Sequence, residues 1–187
     1  MLKRIVAALA VVLIAVGLAG PSVASAAADV PGLVVGTISY NAPGADVPGN
    51  RNKEYVDVVN VGREPVDVKG LRVEDSWAHA NADRAATTGC NAYTVTALPG
   101  VAPGADGAVM LPPRHAIRVY VGAGTDVLDG RTYKLFKDSD PRCGYNGHVL
   151  NNNAPASGTG PWETVWIVKG AAAESKSYEF WNGYYVR

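Results

Sequence analysis

The sequence predicts an all-β fold, a sandwich of antiparallel strands. Short runs of β-branched and aromatic residues recur along the chain, and clusters of Gly, Pro, Asn and Asp separate them. No run combines sustained helical periodicity with helix caps, and residues 170–176 are expected to form one helical turn at most. Short strands at regular spacing, without helices between them, are typical of a β-sandwich.

The first 26 residues predict a secretory signal peptide and are left out of the fold. Lys3 and Arg4 precede an uncharged apolar run, and Ala24-Ser25-Ala26 provides the small residues that a signal peptidase needs. A retained membrane anchor is the alternative, but it requires about 20 apolar residues and usually lacks such a cleavage site. We therefore expect residues 27–187 to form one domain that is secreted or associated with the cell surface, without a membrane span.

Ten strands are predicted along this domain, and turn residues such as Gly62–Pro65 and Lys69-Gly70 separate them. Residues 76–99 lose the apolar periodicity, apart from one short strand, and are expected to form an insertion or long loop. The predicted strands are Leu33–Tyr40, Tyr55–Val59, Val66–Val68, Leu71–Asp75, Tyr93–Thr96, Ala108–Leu111, Ile117–Val121, Tyr133–Phe136, Thr164–Val168, and a hairpin or bent strand over Tyr178–Val186.

Alternation within these strands predicts which side chains face the core. Val56 and Val58 can face one way while Tyr55, Asp57 and Val59 face the other. In the strand that begins at Ile117, every second residue is aliphatic. Thr164–Val168 is the most hydrophobic strand, so we expect it in the centre of a sheet with Trp166 in the core.

Composition excludes some partners and predicts a covalent bridge. Without the predicted signal peptide the chain has 15 basic and 17 acidic residues, a formal charge of about −2. Nucleic-acid binding is therefore disfavoured, because phosphate recognition requires clustered Lys and Arg. Cys90 and Cys143 are the two cysteines of an exported chain and predict one disulfide. Its long loop would stabilise the fold by about 4 kcal/mol in the chain-entropy description.

The stretch Glu54–Asp75 resembles the opening of a lamin tail domain, an immunoglobulin-like sandwich of nuclear lamins and many secreted bacterial proteins. Glu54–Asn60 matches its first strand, Pro65–Val68 its aliphatic-Asp-aliphatic strand, and Gly70-Leu71 its step towards an acidic residue. Leu111-Pro112-Pro113 and Leu150–Asn153 match later steps more loosely, and Arg114-His115 replaces an expected glycine. The resemblance implies an immunoglobulin-like β-sandwich with a binding or structural role, and it brings no catalytic residues.

The residues do not predict metal binding or catalysis. His79, His115 and His148 lack the paired spacing of zinc ligands, and Asp138-Ser139-Asp140 lacks the glycine and glutamate positions of a calcium loop. There is no Gly-x-Ser-x-Gly nucleophile motif. The carboxylates that a glycosidase would need are instead expected outward or at strand ends: Glu54, Asp57, Glu74 and Asp75. We expect no cofactor, no metal and no enzymatic activity.

The candidate binding residues are the aromatic side chains near the C-terminus. Planar rings can bind sugars or partner side chains, although a terminal strand must bury some residues, and alternate aromatics that face the core are the ordinary expectation. The cluster consists of Tyr178, Phe180, Trp181, Tyr184 and Tyr185. We expect a non-catalytic binding or structural module that recognises a protein or a cell-envelope polymer. The alternative is a small secreted hydrolase or metal-dependent enzyme, which a convergence of His148, Asp138 and His115 would favour.

Overall fold

In the computed structural model, the residues described are 29–40, 53–83, 91–137, 150 and 162–179. These residues form eleven strands and one short helix, which places the chain in the predicted all-β class. The elements are β1 (Leu33–Ser39), β2 (Tyr55–Asn60), β3 (Val66–Asp67), β4 (Arg72–Asp75), α1 (Ser76–Ala80), β5 (Ala92–Thr94), β6 (Met110–Leu111), β7 (Ala116–Tyr120), β8 (Val127–Asp129), β9 (Thr132–Phe136), β10 (Trp162–Lys169) and β11 (Ala172–Glu179).

The strands form two large sheets packed as a β-sandwich, with a small third sheet of two strands. One sheet has the order β1-β2-β7-β9-β8, the other the order β11-β10-β4-β5, and β3 pairs with β6. All pairs are antiparallel except β7 with β9. The predicted antiparallel sandwich is confirmed, with this one parallel pair as an addition. The predicted central position of the strand at 164–168 is also correct, because β10 lies between β11 and β4.

The core lies between the two large sheets and follows the predicted alternation. Val56 and Val58 of β2 face inward, as do Val165 and Ile167 of β10. The aliphatic side chains at positions 117, 119 and 121 are also buried, as their spacing predicts. Full burial of one such side chain stabilises a fold by about 1.5–3 kcal/mol, so this layer accounts for much of the folding free energy. Residues at the intervening positions are left for the two outer faces.

Strands β1 and β11 join the two sheets at one edge of the sandwich. The register of β1 shifts between Val35 and Ile38, which breaks the regular ladder. Side chains of β11 bond to the backbone there: Val35 N donates to Glu174 Oε1 at 3.3 Å, and Lys176 Nζ donates to Gly36 O at 2.8 Å. Two charged side chains thus satisfy polar groups next to the irregularity and tie the sheet edges together.

The structure adds three features to the predicted pattern. Residues 170–176, expected to form one helical turn at most, belong to the hairpin of β10 and β11, whose two-residue loop begins at Gly170 with φ +61°. The loop expected over 76–99 contains the unpredicted helix α1, whereas β5 overlaps the short strand expected at Tyr93–Thr96. Strand β8 has no counterpart in the prediction. Over the described ranges, no helix has the length and apolarity needed to cross a membrane. The predicted signal peptide lies outside these ranges.

Candidate functional site

An open cavity of about 430 Å³ lies on the outer face of the four-stranded sheet. Its volume is within the range of small-molecule sites. Two turns border the cavity, one between β3 and β4 and the other between β10 and β11. Each contains a glycine with positive φ, Gly70 at +76° and Gly170 at +61°. We call this cavity the histidine pocket; the described residues that line it are Gly70, Arg72, His79, Ala82, Val168 and Gly170.

Strand β4 supplies two polar side chains to this face because its residues alternate. Val73 faces the core, so Arg72 and Glu74 face outward. In the ladder with β10, Glu74 lies beside Trp166 and Arg72 lies beside Val168. A carboxylate, a guanidinium and an indole are therefore neighbours on one sheet surface.

Helix α1 then carries His79 back over these residues. Asp75 is its N-cap: Ala78 N donates to Asp75 Oδ1 at 2.8 Å, and Asn91 Nδ2 donates to Oδ2. Burial and, to a smaller extent, the nearby charge of Glu163 raise the pKa of Asp75 to about 7, although hydrogen bonds from Ala78, Asn91 and Trp77 oppose the rise. The helix is short, and this cap fixes the direction in which it leaves the sheet.

Glu74 is the centre of the cluster and is fully buried. Its Oε1 lies 3.0 Å from His79 Nδ1, and its Oε2 lies 2.6 Å from Arg72 Nη2. The contact between Arg72 Nη2 and Glu74 Oε2 is an ion pair without directed hydrogen-bond geometry, since Oε2 has no hydrogen-bond partner among the described residues. The same is true of Arg72 Nε. The side chains of Arg72 and His79 are 24% and 36% exposed, so both extend from the buried carboxylate to the pocket.

Trp166 holds the plane of the imidazole. The two rings are parallel within 1°, and their centroids are 3.9 Å apart. Because Nδ1 contacts Glu74, the other ring nitrogen, Nε2, is turned away from this carboxylate. The arrangement can present a hydrogen-bonding or proton-transferring group in a fixed direction, next to a guanidinium.

A second cluster lies on the opposite side of the sandwich, on the outer face of the five-stranded sheet. Tyr55, Tyr120 and Phe136 are register partners on β2, β7 and β9. The ring centroids are 5.6 Å apart for Tyr55 and Tyr120, and 4.7 Å apart for Tyr120 and Phe136. We call these three half-buried rings the aromatic row.

An ion pair borders the aromatic row. Arg118 donates from Nε and Nη2 to the two carboxylate oxygens of Asp57 at 2.7 and 2.9 Å, a bidentate geometry. The guanidinium carbon also lies 3.8 Å from the centroid of the Tyr55 ring. The hydrogen bonds to Asp57 raise the pKa of Arg118 despite its partial burial. Arg118 is therefore a permanently charged group held in one position.

The C-terminal aromatic residues fare differently from the expectation. Tyr178 is 1% exposed and stacks on Tyr40 with a centroid distance of 4.9 Å. It is a core residue, so its assignment to a binding surface is corrected. Trp181, Tyr184 and Tyr185 lie outside the described residues, as do Phe180, Cys90 and Cys143. The prediction that Trp166 belongs to the core is wrong, because it is half-buried on the outer face under His79.

The four carboxylates lie where the sequence predicts, outward or at strand ends, but all four are buried. Asp57 and Glu74 point to outer faces, Glu54 directly precedes β2, and Asp75 ends β4. His115 Nδ1 lies 3.0 Å from Pro113 O. His148 and Asp138 lie outside the described residues, and so does the segment resembling a calcium loop. Within the described part of the chain, no three His, Cys, Asp or Glu residues are placed to hold a metal ion.

Asn60, the last residue of β2, uses its side-chain amide to bind the backbone. Its Nδ2 donates to Glu64 O and to Leu111 O, and its Oδ1 accepts from Gly62 N. These bonds fix the turn that follows β2 and leave no free amide for a ligand.

Neither a protein-family model nor a curated protein matches this chain. Function is therefore inferred from the two clusters themselves.

Proposed function

We propose that this protein is a secreted, non-catalytic binding module that recognises a polymer of the cell envelope through the aromatic row. Three things support the proposal: the predicted signal peptide, the likeness of Glu54–Asp75 to a lamin tail domain, and the chemistry of the outer face of the five-stranded sheet. The lamin tail family has binding and structural roles, so the resemblance favours the same class here.

The aromatic row is the observation on which the proposal depends. The solvent face of an antiparallel sheet normally carries polar side chains. Here three rings follow one another across β2, β7 and β9, beside a charged donor. Cross-strand aromatic pairs also stabilise a sheet, by about 0.2–1 kcal/mol each. A row of rings next to a guanidinium in addition suits a polysaccharide, which offers apolar ring faces and hydroxyl groups in alternation.

Preorganisation of the donor strengthens this assignment. Arg118 is fixed by two hydrogen bonds to Asp57 and by its contact with Tyr55. A donor that is already ordered loses little side-chain entropy when a ligand binds. The same face would bind an extended polymer at several points, because its rings lie on three adjacent strands.

Co-sedimentation with isolated cell-wall material tests the proposal. We expect the unaltered protein to be retained and Tyr120→Ala to be retained about tenfold less well, as for a binding residue worth more than 1 kcal/mol. Trp77→Ala is the matched control, because Trp77 is an exposed aromatic residue on α1, away from the aromatic row. Trp181→Ala tests the C-terminal residues in the same assay.

Loss of binding in Tyr120→Ala counts only if its thermal unfolding remains cooperative. Equal retention of Tyr120→Ala and the unaltered protein would reject the aromatic row as the binding surface. If neither protein is retained, the polymer is rejected and the partner is to be sought among soluble proteins.

A small secreted hydrolase is the second candidate, and one observation favours it. A buried carboxylate that orients an imidazole, as Glu74 orients His79, is a common arrangement of a general base. Incubation of the protein with chromogenic ester, phosphate and glycoside substrates tests this function. Turnover that is abolished in His79→Asn would favour the hydrolase over the binding module.

A further inference from the structure

We propose that the histidine pocket is a second binding site, specific for a carboxylate group, in which Arg72 and His79 contact the ligand. Glu74 and Trp166 do not contact the ligand but hold these two side chains in position. The pocket and the aromatic row lie on opposite outer faces of the sandwich, so this site is independent of the proposed polymer-binding surface.

The sign of the charge in the pocket favours an anion. Among the described residues that line it, only Arg72 and His79 are ionisable, and neither is acidic. Glu74 is fully buried beneath them and does not line the cavity. Lys169 precedes Gly170 at the border, but its ammonium group is bound to the carboxylate and carbonyl of Asp67. The groups that can reach a ligand are therefore the guanidinium of Arg72 and the ring of His79.

Arg72 has donors left for a ligand. A guanidinium carries five N–H groups in a planar fork. One nitrogen, Nη2, contacts Glu74, and Nε is buried; no described residue accepts a hydrogen bond from Nη1. Because the side chain is partly exposed, an incoming carboxylate can bind the outer edge of the guanidinium, the geometry in which arginine recognises carboxylates best.

The charge of Arg72 favours a single negative charge on the ligand. Arg72 is the one permanent cation of the described lining, and its planar fork matches a carboxylate. A phosphate dianion would bring a second charge that Arg72, already beside Glu74, cannot balance. Ala82 and Val168 add an apolar wall that can contact the carbon skeleton of the ligand. An acidic sugar and the C-terminal end of a peptide are two sources of such a group.

Nuclear magnetic resonance titration of the mature protein tests the proposal with four small probes. The acidic probes are glucuronate and N-acetylalanine, and their neutral counterparts are glucose and N-acetylalanine amide. We expect saturable shifts of the Gly70 and Gly170 amides and of the His79 ring with an acidic probe but not with its neutral counterpart. The acidic probe that binds more tightly identifies the source, sugar or peptide.

Variants separate a binding role from a structural one. Arg72→Lys keeps the charge but loses the planar fork, and His79→Asn keeps a donor near Glu74 but loses the ring. We expect each to weaken binding of the acidic probe at least fivefold. The matched control is His115→Asn, which changes a histidine outside the pocket and should bind as the unaltered protein does.

The proposal is overturned by equal shifts with acidic and neutral probes, by shifts confined to the aromatic row, or by no shift up to about 50 mM of either acid. Because these titrations use the unaltered protein, the result does not depend on whether a variant folds. They also use no polymer, so failure here and failure of the co-sedimentation assay are distinguishable.

Discussion

The imidazole of His79 lies flat against the indole of Trp166, with 3.9 Å between ring centroids and 1° between ring planes. The two residues come from a short helix and from the central strand of a sheet, 87 positions apart in the chain. Their contact explains why Trp166 tolerates an outward position on β10. The helix that Asp75 caps covers it, so the indole is packed without entering the core.

Replacement of Trp166 should loosen this face without unfolding the sandwich. We expect Trp166→Leu to lower the free energy of unfolding by about 1–2 kcal/mol, because it removes a ring stack and part of its buried area. Urea unfolding measures this loss. Trp166→Phe keeps a ring under His79 and should lose less than Trp166→Leu. Equal losses in both variants would contradict a role for the stacked rings.

Substitution of the buried Glu74 should destabilise the protein more than substitution of Trp166. Glu74→Gln leaves Arg72 beside a neutral amide in a largely dry site, so we expect a loss of about 2–4 kcal/mol. The double variant Glu74→Gln/Arg72→Met removes the orphaned charge as well. It should be more stable than the sum of the two single losses predicts, and strict additivity in urea unfolding would show that the ion pair is not coupled.

Two ion pairs on the five-stranded sheet provide a matched comparison. Asp57 is 7% exposed and binds Arg118 with two hydrogen bonds, whereas Asp129 is an exposed residue that binds Lys134 at 2.7 Å. We expect Asp57→Ala to cost about 2–4 kcal/mol, since it leaves a guanidinium unpaired above Tyr55. Asp129→Ala should have no measurable effect, because water screens an exposed pair. Thermal or urea unfolding of the two variants would reveal equal losses if burial did not matter.

The predicted disulfide is tested by thiol labelling under denaturing, non-reducing conditions. If Cys90 and Cys143 are bonded, neither is modified until a reductant is added. Reduction should then lower the free energy of unfolding by about 4 kcal/mol, because the long loop gains freedom in the unfolded chain. Modification of both cysteines without reductant would show that they are free thiols.

The alternating strands could be predicted because their inward residues are aliphatic, as in β2 and β7. Strand β11 could not be predicted in this way, because its sequence lacks such alternation. Two of its residues, Glu174 and Lys176, are charged and bond to the backbone of β1 instead of packing in the core. A hydrophobic pattern cannot indicate a strand whose role is to satisfy polar groups at a sheet edge.

The two candidate sites could not be predicted from the sequence for a related reason. Side chains from distant strands form the aromatic row, and register, not sequence spacing, brings Tyr55, Tyr120 and Phe136 together. The histidine pocket depends on a five-residue helix whose only sequence signal is the N-cap Asp75, too short for helical periodicity to show. Arg114 has φ 59°, a left-handed conformation that glycine adopts more easily than arginine.

Asp75 should make the stability of the protein depend on pH. Its ordinary pKa is 3.8, and burial raises the pKa in the folded protein to about 7. Between these values the folded state holds a proton that the unfolded state has released. The resulting stabilisation is fully present below about pH 3.8 and is lost as pH rises through about 7.

Asp75→Asn isolates this effect, because asparagine caps a helix as well as aspartate but does not titrate. Relative to this variant, the unaltered protein should lose about 2–4 kcal/mol of unfolding free energy between pH 4 and pH 8. Urea unfolding at several pH values gives both curves, and other ionisable groups contribute equally to each. Parallel curves would mean that Asp75 stays ionised in the folded state, with its two hydrogen bonds outweighing the cost of burial.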